Sequence, residues 1–255
     1  MEEKKIIWIT GASSGIGKAL AIKFAENGWI VVASARRENL LKELSQINSN
    51  IYSFPLDVTK IEDCKIVAKK IIQQFHKIDI CVFGTGIHDP KSEKKFNLDR
   101  IRQIMEVNFF GTMNSINSIY EYFLEKKNGQ IAIISSVAGY RGLPAAGAYC
   151  SSKSALSSFT ESLYFEMKRK NVRVSLISPG FIKTPMTDQN DFPMPFIKSP
   201  EFAAKEIYLG LIKKKAFEIH FPRIFTFMMK IIQLLPNWLY FGVINFGNKY
   251  MKRDR

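Results

Sequence analysis

Residues 5–20 read KIIWITGASSGIGKAL. The run from Lys5 to Thr10 is short, apolar and rich in β-branched residues, and from Gly15 onward small and apolar residues recur at helical spacing. The glycines therefore stand at a strand-to-helix turn. There Gly11, Gly15 and Gly17 can supply a tight turn, let a pyrophosphate approach the backbone and let the helix pack closely, while the first amides of the helix and its dipole favour an anion. A glycine-rich loop alone means little. A strand before it and an amphipathic helix after it give it the context of a dinucleotide site.

Five further runs share the character of the first: WIVVASA (29–35), NIYSFPL (50–56), IDICVFG (78–84), QIAIISS (130–136) and VRVSLIS (172–178). Segments of helical periodicity separate them. Alternating strand and helix imply parallel strands joined by right-handed crossovers, and uninterrupted apolar strands suit a sheet covered on both faces. The expected fold is α/β, a doubly wound parallel sheet of Rossmann type with helices on both faces. In such a sheet ligands bind beyond the carboxyl ends of the strands, near the point where strand order reverses. The 255 residues are 46% hydrophobic and no run of Pro, Gly or Ser divides them, so one main domain is expected.

The formal charge of +14 suits an anionic partner, whether nucleic acid, a lipid surface or a phosphorylated cofactor, and lysine-rich solvated helices account for it equally well. No zinc spacing and no aromatic-basic recognition motif accompanies it, so no nucleic-acid partner and no metal is expected. Cys64, Cys81 and Cys150 lie far apart, which argues against a disulfide framework and fits a reducing compartment. The start, MEEKKIIWIT, carries acidic residues and enters a strand at once. That leaves no signal peptide, and the expected location is cytoplasmic.

After the second strand comes ASARRENL (33–40). Where an NAD site often carries an acidic residue for the ribose hydroxyls, Arg36 and Arg37 can pair with a 2′-phosphate, so NADP(H) is the expected cofactor. Asp57, in FPLDVT at the end of the third strand, can accept from an adenine amino group or cap the helix beginning near Ile61. Further on, AYCSSKSAL (148–156) sets Tyr149 four positions before Lys153, on one face of a helix. A neighbouring cation favours phenolate, which readies a tyrosine for proton exchange.

In this order the motifs TGASSGIG, LDVT, VNFFG, IISSVAG, YCSSK and ISPGFIKT resemble those of the short-chain dehydrogenase/reductase family in its compact form, over residues 5 to 220. The resemblance implies a tetrad of Asn108, Ser136, Tyr149 and Lys153, with Ser136 chosen over Ser135 because the family's serine stands thirteen positions before its tyrosine. Tyr149 would exchange a proton with the substrate oxygen, Lys153 would lower its pKa and bond the nicotinamide ribose, Ser136 would stabilise the oxyanion, and Asn108 would hold a water leading from Lys153 to solvent. Implied cofactor contacts are Gly11, Ser13, Ser14, Gly15, Ile16, Gly17, Arg36, Arg37, Asp57, Val58, Gly86, Tyr149, Lys153, Pro179, Gly180, Ile182 and Thr184. The implied activity is NADP(H)-dependent interconversion of a carbonyl and a secondary alcohol by a homo-oligomer, the alternative being a non-catalytic NADP sensor on the same fold. One segment departs from the family pattern. Asn-Asn-Ala-Gly after the fourth strand is replaced by Phe83, Gly84, Thr85 and Gly86, which removes two asparagines and keeps the last glycine.

The segment 183–200, KTPMTDQNDFPMPFIKSP, has four prolines and stands where the family places a mobile lid. Met186, Phe192, Met194 and Phe196 can close an apolar surface over a lipophilic substrate. Residues 1–220 are thus read as the nucleotide-binding catalytic domain, and 221–255 as a helical extension packed on that domain or on a membrane surface. Residues 231 to 248 carry no charge, but Pro236, Asn237, Gly242 and Asn245 interrupt them, which argues against a membrane span. Six basic residues (Arg223, Lys230, Lys249, Lys252, Arg253, Arg255) against Asp254 suit an anionic lipid surface. Packing against the core, over the substrate cleft or on a partner subunit competes with that reading.

Overall fold

The structure is a computed structural model that describes residues 4–90 and 95–251. Its strands are β1 (Ile6–Thr10), β2 (Ile30–Ser34), β3 (Ile51–Ser53), β4 (Ile80–Phe83), β5 (Gly129–Ile134), β6 (Val172–Pro179) and β7 (Glu218–Phe221). They form a seven-stranded sheet in the order β3-β2-β1-β4-β5-β6-β7, every pair parallel. The helices are α1 (Gly15–Glu26), α2 (Glu38–Ile47), α3 (Ile61–Phe75), α4 (Leu98–Met105), α5 (Gly111–Asn117), α6 (Tyr120–Lys126), α7 (Gly147–Lys168), α8 (Pro200–Tyr208), α9 (Arg223–Gln233) and α10 (Asn237–Met251). A π-helical turn, Glu106–Phe110, joins α4 to α5. This is the doubly wound sheet expected from the alternation of runs.

The central strands β1, β2 and β4 are almost wholly apolar because both of their faces are buried. Ile7 and Ile9 of β1, Val31 and Ala33 of β2, and Ile80 and Val82 of β4 point to one side, where they pack with Leu20 and Phe24 of α1, Leu41 and Leu44 of α2, and Ala203 and Ile207 of α8. The alternate residues Ile6, Trp8, Val32, Cys81 and Phe83 point to the other, against Val67 and Ile71 of α3, Phe123 of α6, and Leu156 and Leu163 of α7. Trp8 is buried at no polar cost, since its indole N–H donates to Ser34 Oγ at 2.9 Å.

Regular pairing of the third run stops at Ser53, short of the expected strand end at Asp57. Phe54 and Leu56 still donate to the Ala33 and Ala35 carbonyls at 2.9 and 3.0 Å, while Pro55 between them has no N–H. Asp57 thus lies beyond the pairing, at the turn into α3. Strand order reverses between β1 and β4. The loops after these two strands diverge there and leave a crevice above the sheet.

β7 runs to Phe221, and Pro236 separates α9 from α10. The inner side of α9 buries Phe225, Thr226 and Met229 against the loops after β5 and β6. Arg141, from the β5–α7 loop, holds the turn between the tail helices, donating to the Gln233 and Leu235 carbonyls at 3.2 and 2.6 Å and lying 3.9 Å over the Tyr240 ring. Among the described residues, no helix is long and apolar enough to cross a membrane. The side chain of Lys249 and residues 252–255 lie outside the described residues.

Candidate active site

A cavity of about 510 Å³ opens at the carboxyl ends of the strands, over the reversal between β1 and β4. Its floor is the glycine turn after β1. Gly11 and Gly15 have φ of +74° and +54°, where a Cβ is strained. They are also hemmed in: a Cβ on Gly11 would stand 2.7 Å from the Gly84 carbonyl oxygen, and one on Gly17 would stand 2.3 Å from that of Gly11. Backbone is therefore what the turn presents to a ligand, at the N-terminus of α1. Gly11, Ser13, Ser14, Gly15, Ile16 and Gly17 all line the cavity.

On α7, Tyr149 and Lys153 lie one turn apart and both face the cavity. The Lys153 ammonium is 5.7 Å from the Tyr149 ring centroid and donates to the Ile134 carbonyl at 2.9 Å. Burial lowers its pKa from 10.5 to about 8. Ser136 follows β5 and also lines the cavity, its hydroxyl accepting from the Ala138 amide at 3.1 Å. Its neighbour Ser135 serves the scaffold, donating to the Lys153 carbonyl at 2.8 Å.

Asn108 sits in the π-helical turn, fully buried and outside the cavity lining. Its amide accepts from Ile87 N–H at 2.7 Å and donates to the Ile87 carbonyl and to Ser152 Oγ, both at 3.0 Å. Ser152 in turn donates to the Tyr149 carbonyl at 2.8 Å. Through these bonds Asn108 ties the loop after β4 to α7. Gly86 passes close to this knot: a Cβ there would meet Asn108 Oδ1 at 3.5 Å and Lys153 Nζ at 3.6 Å.

Arg36 and Arg37 line the end of the cavity beyond β2. Arg37 donates to Ser13 Oγ and Ser14 Oγ, both at 2.8 Å, so it braces the glycine turn. Val58 lines the cavity and Asp57 does not. One Asp57 carboxylate oxygen accepts from the N–H and hydroxyl of Thr59 at 3.1 and 2.8 Å. At the end of β6, Pro179, and beyond it Gly180, Ile182 and Thr184 close the opposite side, with Thr184 Cγ2 2.9 Å from where a Gly15 Cβ would be.

The sequence pattern of the short chain dehydrogenase family matches residues 5–193. This chain belongs to the short chain dehydrogenase family. It is 32% identical over 236 residues to an uncharacterized oxidoreductase of Myxococcus xanthus, covering 91% of this chain and 93% of that one. It is 33% identical over 216 residues to a 3-oxoacyl-[acyl-carrier-protein] reductase of Thermotoga maritima, covering 83% and 86%. A short chain dehydrogenase from Burkholderia cenocepacia, solved in complex with NADP, shares the fold with a TM-score of 0.81 at 23% identity, covering 95% of this chain and 98% of that one. This short chain dehydrogenase is thus an oxidoreductase, of a family that uses a nicotinamide dinucleotide, NAD(P)(H).

The residues present fit that group. The glycine turn presents backbone, Arg36 and Arg37 supply cations, and Thr85 Oγ1 lines the cavity while buried without a hydrogen-bond partner. The departure at residues 83–86 is absorbed locally. β4 keeps its register with β1 and β5 as far as Phe83, and Gly84 donates to Thr10 Oγ1 at 3.2 Å. Gly84 also makes room for Ile134, whose Cδ1 would be 2.7 Å from a Cβ there.

Sequence reasoning passed over His88. Its ring lies 4.5 Å from that of Tyr149, tilted by 39°, and it lines the cavity. A lone histidine after a departed motif gives no local signal. Of the lid residues, Met186 lines the cavity, Phe192 packs on Phe181 at 6.0 Å between centroids, and Phe196 reaches Phe225 of α9 at 6.1 Å. Met194 Sδ accepts from Asn190.

Proposed function

We propose that this chain is an NADP(H)-dependent reductase or dehydrogenase interconverting a lipophilic carbonyl compound and its secondary alcohol, with Tyr149 as the general acid and base. The observation that carries the reading is the placement of Tyr149, Lys153 and Ser136 around one cavity floored by the glycine turn. The nicotinamide, when bound, supplies or takes up the hydride. Tyr149 gives its proton to the carbonyl oxygen in reduction and removes one from the alcohol in oxidation. Lys153 favours phenolate by its charge, and Ser136 donates to the oxygen as charge grows on it. Asn108 acts at one remove, through Ser152 and the Tyr149 carbonyl, by holding α7 against the loop after β4. Residues 1–220 carry this chemistry, and the tail from 221 covers its lid side.

The lipophilic substrate is supported by Met186 in the wall and by the aromatic lid, and the Thermotoga relative is named for an acyl substrate. Three buried free thiols support a reducing, cytoplasmic setting. Phe110 and Phe165, exposed beside packed helices, support self-association. Oxidation of NADPH followed against a panel of aliphatic and aromatic ketones tests the activity. No oxidation with any of them would move the reading to the nucleotide-binding sensor.

NADP preference rests on Arg36. Among the described residues it has no hydrogen-bond partner, whereas Arg37 is held by Ser13 and Ser14. Arg36→Asp is expected to lower the ratio of kcat/KM for NADPH over NADH by about a hundredfold, from one lost charge-assisted contact and a new repulsion. Arg37→Ala loosens the glycine turn, so it is expected to weaken NADPH and NADH alike. Dinucleotide titrations of both variants separate the roles. A ratio changed only in the Arg37 variant would transfer phosphate recognition to that residue.

A further inference from the structure

α9 is amphipathic, with Arg223, Thr226, Lys230 and Gln233 along one side and an apolar arc wider than the domain covers. Phe225, Met229 and the half-buried Ile232 face the domain, and a second stripe of Ile224, Phe227, Met228 and Ile231, at the same helical spacing, faces outward. Phe227 is 63% exposed, and in α10 Trp238 is 75% and Phe241 59% exposed. Residues 224–246 supply nine of the eighteen large apolar side chains exposed among the described residues. An exposed apolar surface of this extent marks an interaction site.

We infer that this outer face docks on an anionic lipid surface. Neither helix spans a bilayer, so they lie along it. No acidic residue occurs between Glu218 and Asp254, while Arg223 opens the stripe and is exposed. Lys230 is already paired with Glu218, and a second copy docking through the same face would set Arg223 against its own copy, whereas an anionic surface neutralises it. Exposed Trp and Phe beside basic residues suit the headgroup boundary. The apolar surface continues onto the lid, where Phe196 and Ile197 are 46% and 38% exposed, Phe196 touches α9 through Phe225, and the exposed Lys198 follows. Docking thus brings the lid of the cavity to the lipid, the phase that dissolves a lipophilic carbonyl compound. The docking face stands whether or not the catalytic reading does.

Trp238 provides the readout, because Trp8 and Trp29, the other two tryptophans, are buried at 0% and 7% exposure. The full chain is mixed with phosphatidylcholine vesicles with and without phosphatidylserine, and binding is followed by sedimentation and by tryptophan emission. Expected are a blue shift and co-sedimentation with the anionic vesicles alone, reduced about tenfold or more by raised salt. Phe227→Glu with Ile231→Glu abolishes both while leaving NADPH affinity and activity on a water-soluble ketone unchanged. Trp238→Phe, a mild exposed change, abolishes the emission shift and keeps the sedimentation. Equal binding by the charged variant overturns the inference, as does absence of binding by the native chain. Concentration-dependent dimers that the same two substitutions dissolve, with no vesicle binding, would assign the stripe to a second copy.

Discussion

Tyr149→Phe is expected to lower kcat about a thousandfold while leaving the Kd for NADPH within about twofold, since a positioned general acid contributes roughly two to four orders of magnitude. The reasoning is geometric. Phenylalanine keeps the ring that His88 meets at 4.5 Å and that the Lys153 ammonium approaches at 5.7 Å, so both neighbours stay in place. Only the hydroxyl is lost, and with it the proton that the substrate oxygen must receive as hydride arrives. Steady-state kinetics with a reactive ketone give kcat, and quenching of protein fluorescence by NADPH gives the Kd. A variant retaining activity within a few-fold of the native chain would remove Tyr149 as the acid and turn attention to His88, the adjacent group able to donate.

Much of this was legible in the sequence because the signals are local. Six of the seven strands announced themselves as short apolar runs, and since both faces of a parallel sheet are buried, no alternation was needed to find them; β7, with Glu218 and His220 at the sheet edge, gave no such run. The glycine turn was readable because its backbone angles and close approaches admit no side chain. The spacing of Tyr149 and Lys153 was readable because a helix maps sequence distance onto one face. What escaped was non-local. The π-helical turn at Asn108 leaves no mark in EVNFF, yet it sits where the amide meets Ile87 and Ser152. Π turns of this kind often accompany functional sites. The division of labour between Arg36 and Arg37 depends on Ser13 and Ser14, more than twenty residues earlier, and adjacent arginines look alike in one dimension. The tail posed the opposite difficulty. Its helices were evident from composition, but the apolar arc of α9 is wider than one contact needs, and no pattern could say which part of it would turn inward.

Lys153→Met is expected to make the protein more stable and nearly inactive. Removing the ammonium is expected to lower kcat at least about a hundredfold and to weaken NADPH, because the proposed roles of this group lie at both the phenol and the ribose. Its effect on the fold has the other sign. A buried lysine with a pKa of about 8 in place of 10.5 costs the folded state about 3 kcal/mol at neutral pH. Methionine removes that cost and forfeits the 2.9 Å bond to the Ile134 carbonyl, about 1 kcal/mol. The balance is a gain of about 2 kcal/mol, or about 4–8 °C in melting temperature for a chain of this size. The pH dependence carries the signature. Below pH 8 both folded and unfolded chains hold the proton, and the native protein bears the full cost. Between pH 8 and 10.5 the folded chain releases it while the unfolded chain keeps it, so the cost fades, and above 10.5 both are neutral. The native protein should therefore gain on the variant as pH rises through this window, and calorimetric melts of the two at neutral and alkaline pH measure that convergence. A variant that melts below the native chain at neutral pH would show that Lys153 supports the fold, and the buried cation would then be a structural post instead of a functional charge kept at the expense of stability.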